Sequence, residues 1–303
     1  MPWTRILSGI VAIAIALSMI FLGGWYFTAG LMVIVLLGQL EYFQMVKAKG
    51  IAPAAKITLV VSQLLLIVAT LASPFTNAAF ALAGTFICFY LLFQPSMASI
   101  ADISTSILGL FYGGWLPSYW IQLRVGLTAS NSGGEIAIAS TQFPLSGLLP
   151  NSWYDSSILS PALAITLLSF SCIWAADIGA YTFGKFFGRT LLSQISPKKT
   201  VEGAVFGILS SAAVAEWGAW YLHWNCWQIS GLLLGLLIGV TSLLGDLTES
   251  MMKRDAGVKD SGQIIPGHGG ILDRTDSYVF TAPLVYYFVT IFLPLLPSSF
   301  GAF

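Results

Sequence analysis

Charge is what this 303-residue sequence has least of. Asp, Glu, Lys and Arg make up 9% of the chain, whereas a soluble domain carries about 25% charged residues. A chain so poor in charge cannot cover a surface that faces water, so a soluble globular domain is excluded. The 13 basic and 13 acidic residues give a net charge of zero, which argues against nucleic-acid binding and against a polybasic lipid-surface protein.

Cysteine and histidine are also scarce. Cys88, Cys172 and Cys226 lie apart in apolar stretches without metal or disulfide spacing, and we expect them to be core residues. His223 stands beside tryptophans and is expected at the membrane interface. His268 stands between glycines among acidic residues, where it could donate to a phosphate, position a ligand or serve a structural role.

Apolar residues take the place of charge, at 56% of the chain and a mean hydropathy of +0.83. Nine apolar segments each approach the roughly 20 residues with which a helix crosses the hydrocarbon core. They run about 5–22, 24–42, 56–73, 75–94, 104–124, 158–180, 203–222, 227–246 and 276–297. Helices satisfy their own backbone groups in lipid, so we predict an all-α fold, a polytopic membrane helical bundle of about nine transmembrane helices.

The basic residues orient this bundle. With the N-terminus inside, twelve of the thirteen Lys and Arg residues fall on the inner side and only Arg124 falls at an outer boundary. The positive-inside rule therefore predicts a cytoplasmic N-terminus and an outer C-terminus. We divide the chain into N-terminal transmembrane helices (1–125), an outer loop (126–157) and C-terminal catalytic helices (158–303). No internal repeat of the kind found in many transporters is visible.

One inner loop, about 247–275, concentrates the charge. Residues 245–276 contain six carboxylates, four cations and His268, among glycines whose amides can bind anions. Carboxylates close to phosphate-binding cations usually indicate a divalent metal between them, so the pattern predicts a metal–polyphosphate site. Asp246 and Asp273 are the leading candidates, because each lies at the inner end of an apolar span. The alternatives are a solvated loop with surface ion pairs and helix-end acids that reach water.

The other inner loop, about 181–202, carries a second basic cluster. Gly179 to Lys185 has the spacing of the first part of a P-loop, but Phe186 replaces the hydroxyl residue that would hold magnesium. An ATPase-type P-loop is therefore excluded. Lys198, Lys199 and Thr200 remain candidates for phosphate contacts, and the alternative for the two lysines is a topological anchor.

Two sets of residues resemble the signature of the phosphatidate cytidylyltransferases, also called CDP-diacylglycerol synthases. The first, whose spacing agrees throughout, is Ser250, Lys253-Arg254, Lys259-Asp260, Pro266, His268-Gly269-Gly270, Asp273-Arg274 and Asp276. The second is Asp177-Ile-Gly-Ala-Tyr with Ser196-Pro-Lys-Lys-Thr-Val-Glu-Gly, in which Val201 stands where that family commonly has Trp. The motifs cover about residues 165–280, and the remainder is similar only in hydrophobic pattern.

The resemblance implies that CTP and phosphatidic acid are converted to CDP-diacylglycerol and pyrophosphate, with Mg²⁺ as cofactor. The lipid phosphate is already an anionic nucleophile, so charge neutralisation and in-line positioning would carry catalysis. We assign Asp246 and Asp273 as catalytic residues and as ligands of the metal centre, with Asp177 and Asp276 as supporting metal ligands. The remaining site residues are assigned by role: Lys198, Lys199 and Lys259 as catalytic, and Ser250, Lys253, Arg254, His268, Arg274 and Thr200 as substrate-binding.

Two other classes of function were weighed. A transporter for an anionic solute would explain the membrane spans. It would not explain a loop whose carboxylates and cations suit a metal and a polyphosphate. A phosphotransferase that consumes CDP-linked lipids would require a spaced acidic motif that is missing here. We expect membrane lipids but no nucleic acid as partners, and a bacterial-type inner (plasma) membrane with the active site facing the cytoplasm. Oligomeric state is left open, with a homodimer as one alternative.

The predicted orientation can be tested by cysteine labelling of intact cells, in a background without the three native cysteines. Cysteines placed near Lys198 and Gly262 should be shielded from an impermeant thiol reagent added outside, because both loops are predicted to face the cytoplasm. A cysteine near Ser132 should be labelled, and permeabilised cells provide the control for reactivity. Labelling of both inner loops from outside would show that the orientation is wrong.

Overall fold

The structure is a computed structural model that describes residues 2–95, 97–129, 136–138, 160–264 and 269–297. Most of the predicted outer loop 126–157 lies outside the described residues, as does His268. Helices dominate the described chain, as predicted. The exception is a short antiparallel hairpin of β1 (Leu127–Ala129) and β2 (Ile136–Ile138), in which Thr128 pairs with Ala137.

Within the described residues, each of the nine apolar segments overlaps one or more helices. The α-helices are α1 (Pro2–Leu22), α2 (Gly24–Ala48), α3 (Ala55–Leu71), α4 (Thr76–Leu92), α5 (Ile100–Leu110), α6 (Leu116–Arg124), α7 (Pro161–Phe187), α8 (Val201–Tyr221), α9 (Trp227–Asp255), α10 (Leu272–Val279) and α11 (Thr281–Tyr287). Short π-helical segments, Phe111–Trp115 and Phe288–Phe292, join α5 to α6 and extend α11.

Five of these helical stretches, among the described residues, are long and apolar enough to cross a membrane. They are Gly24–Ala48, Ser73–Leu92, Pro161–Phe187, Trp227–Asp255 and Leu272–Leu295. Gly9–Leu22 and Ala55–Leu71 are shorter apolar helices. The chain is therefore a helical membrane protein, and the count of nine crossings stays a prediction.

The described chain forms two compact units. The first contains Met1–Gly126 together with Met252–Thr275, and the second contains Leu127–Ile138, Leu159–Met251 and Asp276–Phe303. The first unit therefore includes most of the charged inner loop that the sequence analysis grouped with the C-terminal helices.

In the first unit, polar side chains join helices inside an apolar core that includes Leu65, Leu66 and Leu110. Gln39 of α2 is buried, and its Nε2 donates to Ser62 Oγ at 2.7 Å and to the Gly109 carbonyl at 2.9 Å. Buried hydrogen bonds of this kind hold helices together where lipid supplies no competing water.

In the second unit, glycines allow α8 to pack closely against both neighbours. A Cβ at Gly203 or Gly207 would collide with carbonyl oxygens of α7, and a Cβ at Gly231, Gly235 or Gly239 would collide with the backbone of α8. Small residues at such positions let helix backbones approach each other in lipid. This packing fixes the start of α8 beside α7.

Candidate active site

In the second unit, Lys199 forms an ion pair with Asp246 of α9. The two side chains are 24% and 33% exposed, so each charge is partly removed from water and depends on the other. The sequence analysis proposed both residues for the site but could not pair them. Asp246 also accepts a long hydrogen bond from Ser250 Oγ, at 3.4 Å, from the next turn of the same helix.

The segment before α8 is folded so that it presents Lys199. Leu192 N–H donates to the Lys199 carbonyl at 2.9 Å, and Val201 N–H donates to the Thr190 carbonyl at 3.0 Å. Thr200 ends this segment as the N-cap of α8, because its hydroxyl oxygen accepts from Gly203 N–H at 3.2 Å. Thr200 was predicted to bind substrate. Its hydroxyl oxygen caps the helix, and the hydroxyl hydrogen is still available to donate.

Glu202, which precedes the predicted span 203–222, anchors the beginning of this segment, just after α7. Its carboxylate accepts from Arg189 N–H at 3.1 Å and from the Thr190 hydroxyl at 2.9 Å. Bonds from its own backbone amide, from Arg189 and from Thr190 favour the ionised form and lower the pKa of Glu202 to about 2. The sequence analysis did not identify this residue, although an acid in the first turn of a helix is a recognisable signal.

Further acids of the second unit surround Asp246. Asp177 of α7 interacts electrostatically with Asp246 and with Lys199. Asp276 is buried and interacts with Asp246, Asp177 and Glu249. Glu249, fully buried on α9, is a site acid that the sequence analysis counted but did not single out. Carboxylates that interact in this way disfavour one another's negative charge, so these acids favour a cation beside them.

In the first unit, Asp273 is the centre of a second cluster. Its Oδ1 accepts from Lys253 Nζ at 2.5 Å, and both side chains are only 12% exposed. Its Oδ2 accepts from the backbone amides of Gly270 at 2.9 Å and Ser261 at 3.0 Å. The Ser261 hydroxyl also lies 3.0 Å from Oδ2. Asp273 therefore organises its loop as well as carrying charge.

Glu41 of α2 is the residue of this cluster that the sequence analysis missed. It is 1% exposed, and its carboxylate accepts from the amides of Ile271 at 3.0 Å and Leu272 at 2.9 Å. Its Oε2 also lies 3.1 Å from Ser261 Oγ. The available signal was an ionisable residue within a membrane span, which marks a functional position by default.

The remaining predicted cations lie at the surface. Lys198, Arg254, Lys259 and Arg274 are exposed. Arg254 Nη1 reaches the Val258 carbonyl at 3.5 Å, in the turn that follows α9. Lys199 and Lys253 thus pair with carboxylates, and the side chains of the other four cations are exposed.

The donors present fit Mg²⁺ that arrives with phosphate. Among the described residues, no three His, Cys, Asp or Glu side chains form a set that could hold a metal ion by themselves. Mg²⁺ is usually held by one or two carboxylates, with water and substrate phosphates completing its coordination. Asp246 in the second unit and Asp273 in the first each present the carboxylate oxygens that such an ion prefers.

Comparisons with known proteins agree with the motifs. A family model described as "Cytidylyltransferase family" matches residues 3–292. A Synechocystis sp. protein named phosphatidate cytidylyltransferase is 63% identical over 296 residues, which cover 98% of this chain and 99% of that protein. An Arabidopsis thaliana protein named phosphatidate cytidylyltransferase 4, chloroplastic, is 42% identical over 90% of this chain and 69% of its own length.

A more distant relative matches over a shorter stretch. A Staphylococcus epidermidis phosphatidate cytidylyltransferase is 46% identical over 129 residues, or 42% of this chain and 49% of that protein.

Because Glu202 anchors this segment, we predict that the thermal midpoints of the wild type and of Glu202→Gln differ by an amount that depends on pH. The carboxylate stabilises the fold in full above its ordinary pKa of 4.5 and loses that contribution as the pH falls through its folded value of about 2. The thermal midpoint of Glu202→Gln should therefore lie below that of the wild type by a constant amount above about pH 4.5. The difference between the two thermal midpoints should become smaller as the pH falls towards 2.

Thermal unfolding in detergent at several pH values measures this difference, and Glu216→Gln on the same helix controls for loss of a negative charge. Equal midpoints for Glu202→Gln and the wild type at pH 7 would contradict the anchoring role.

Proposed function

Since the chain belongs to the cytidylyltransferase family, we propose that its two charged clusters serve the reaction named in its relatives, the transfer of a cytidylyl group from CTP to phosphatidic acid. The products are CDP-diacylglycerol and pyrophosphate, and the chain is a nucleotidyltransferase of phospholipid biosynthesis. This function is favoured over transport of an anion or use of CDP-linked lipids by the 63% identity across 98% of the chain.

The chemistry needs charge compensation more than a base. An oxygen of the phosphatidate phosphate attacks the α-phosphorus of CTP, and the bond from that phosphorus to the oxygen bridging to the β-phosphate breaks. Pyrophosphate leaves with the electron pair. Both reactants are polyanions, so cations must offset their repulsion and the negative charge on the leaving group.

The observation that carries the site assignment is the pair of lysine–carboxylate contacts, Lys199 with Asp246 and Lys253 with Asp273. Each lysine has a compact, mobile charge that can pass from its carboxylate to a phosphate oxygen when substrate binds. The exposed cations Lys198, Arg254, Lys259 and Arg274 would bind the outer phosphates or the lipid headgroup. Ser250, Thr200 and His268 remain proposed substrate contacts.

Mg²⁺ is proposed as the cofactor, held by Asp246 and Asp273 with Asp177 and Asp276 in support. When bound, such an ion neutralises phosphate charge and withdraws electrons from phosphorus. The repulsion among Asp177, Asp246 and Asp276 would be relieved by a bound cation. Ser261 and Gly270 hold Asp273 in one orientation, which a ligand of this kind requires.

We further propose nine membrane crossings with the N-terminus and both charged loops on the cytoplasmic side of an inner membrane. This proposal rests on the twelve basic residues that this orientation places inside. It would put the site at the face where a soluble nucleotide and a membrane lipid can meet.

The function is tested with purified protein in mixed micelles of detergent and phosphatidic acid. Given CTP and Mg²⁺, the protein should release pyrophosphate and form CDP-diacylglycerol in equal amounts. Omission of phosphatidic acid should abolish pyrophosphate release, because the lipid phosphate is the nucleophile. Release of orthophosphate without lipid, or no lipid-dependent pyrophosphate, would contradict the proposed reaction.

The two adjacent lysines should behave differently. Lys199 is partly buried against Asp246 and Lys198 is exposed, so Lys199→Gln should lower kcat by about 100-fold or more, and Lys198→Gln should lower it much less. Lys199→Arg should recover only part of the loss, because a guanidinium has another reach and donor geometry.

The measurement is kcat per correctly inserted molecule, so that effects on insertion are separated from effects on turnover. Wild-type kcat in a variant with Gln at both positions would leave both lysines as topological anchors.

A further inference from the structure

Glu41 lies far in sequence from every motif assigned to the reaction, yet it contacts the loop that carries them. Glu41 belongs to α2, and the Ser261 and Leu272 that it contacts follow it by 220 and 231 residues. Glu41 and the loop residues that it contacts all lie in the first compact unit. A buried carboxylate is costly unless donors surround it, and here three donors do.

The first donors are backbone amides at the start of α10. A helix begins with N–H groups that have no partner inside the helix. Glu41 Oε1 accepts from Ile271 N–H and Oε2 accepts from Leu272 N–H, so this carboxylate caps α10 from another helix. Asp273 stands in the first turn that is fixed in this way.

The third donor is Ser261, which lies between Glu41 and Asp273. Its Oγ is 3.1 Å from Glu41 Oε2 and 3.0 Å from Asp273 Oδ2, and it also accepts from Asp273 N–H at 3.3 Å. Ser261 is 6% exposed, so water does not compete for these bonds. One hydroxyl hydrogen serves one carboxylate at a time, so the two acids share it.

Two glycines leave the space that the carboxylate fills. A Cβ at Gly262 or at Gly270 would collide with the side chain of Glu41. Gly269, at φ +85°, has a backbone conformation that few other residues adopt, and a Cβ there would lie 2.9 Å from Asp273 Oδ2. Of the two adjacent glycines of the motif, Gly270 thus leaves room for Glu41 and Gly269 leaves room for Asp273.

We propose that Glu41 is a positioning residue for the cytidylyl transfer, which orients Asp273 through Ser261 and the first amides of α10. This inference rests on the proposed role of Asp273 in that reaction. Glu41 touches no reacting atom. It fixes the carboxylate that Lys253 contacts and so determines where that charge pair stands.

The test is Glu41→Gln, which preserves size but replaces one acceptor oxygen with a donor that faces an N–H or the Ser261 hydroxyl. We expect kcat per folded molecule to fall by about 10- to 100-fold, the range for groups that orient a ligand residue. The Mg²⁺ concentration for half-maximal activity should rise, and KM for CTP should change less. Hydrogen exchange of a peptide covering residues 269–275 should become faster in protein without substrate or metal.

The matched control is Tyr42→Phe on the same helix. Tyr42 is also buried, and its hydroxyl donates to the Thr105 carbonyl at 2.9 Å, away from the loop. This variant loses a buried hydrogen bond but should keep wild-type kcat, Mg²⁺ dependence and exchange of residues 269–275. If Glu41→Gln has the kinetics and exchange of Tyr42→Phe, Glu41 has only a structural role and the proposal is overturned.

A second measurement tests whether Glu41 acts through Ser261, by comparing kcat in the two single variants and in the double variant. If Glu41 acts through Ser261, the losses of kcat in Glu41→Gln and Ser261→Ala should not multiply in the double variant. Losses that multiply would overturn the route through Ser261. If Glu41→Gln is not recovered folded, Glu41→Asp keeps the charge but shortens its reach, and wild-type kcat there would overturn the proposal. An inactive wild type would instead refute the reaction itself.

Discussion

A carboxylate that leaves water must find hydrogen-bond donors or a cation, and the charged clusters of this protein are built on that requirement. Glu41 has two backbone amides and a hydroxyl, and Asp273 has two amides, the same hydroxyl and Lys253. Asp246 has Lys199. In a chain with 9% charged residues, each of these contacts fixes a segment that apolar packing alone would leave unplaced.

Close backbone approach is the second requirement, and glycine meets it in both units. In the first unit, Gly262 and Gly270 leave room for the carboxylate of Glu41. In the second, Gly203 and Gly207 let α8 lie against α7, which places Thr200 and therefore Lys199 at the start of α8. The glycines of the motifs thus have steric roles within the protein, in addition to any contact that their amides make with an anion.

The sequence predicted features that depend on local pattern. Nine apolar segments fall on helices, and charged residues near Asp246 and Asp273 do form clusters. It could not predict features that depend on distant contacts. Nothing in the pattern links Glu41 to Ile271, 230 residues away, or selects Lys199 over Lys198 as the partner of Asp246. Apolar periodicity also gives no register between helices, and so could not predict that Glu41 would meet the loop.

The lysine–carboxylate pairs also bear on how each charged cluster can be stable both without and with a bound phosphate. Lysines arranged only for phosphate would repel one another when no substrate is bound, and acids arranged only for a metal would do the same. Pairing Lys199 with Asp246 and Lys253 with Asp273 offsets part of this repulsion within each cluster. In the proposed reaction, each lysine would exchange its carboxylate for a substrate phosphate, and the carboxylate that it leaves would be available to a bound cation. The number of opposite-charge contacts would then be conserved, so binding need not leave a partly buried charge without a partner. Such an exchange requires carboxylates that stay in place while the lysines move. The hydrogen bonds to Asp273 from the backbone of Ser261 and Gly270 provide that fixed frame on one side.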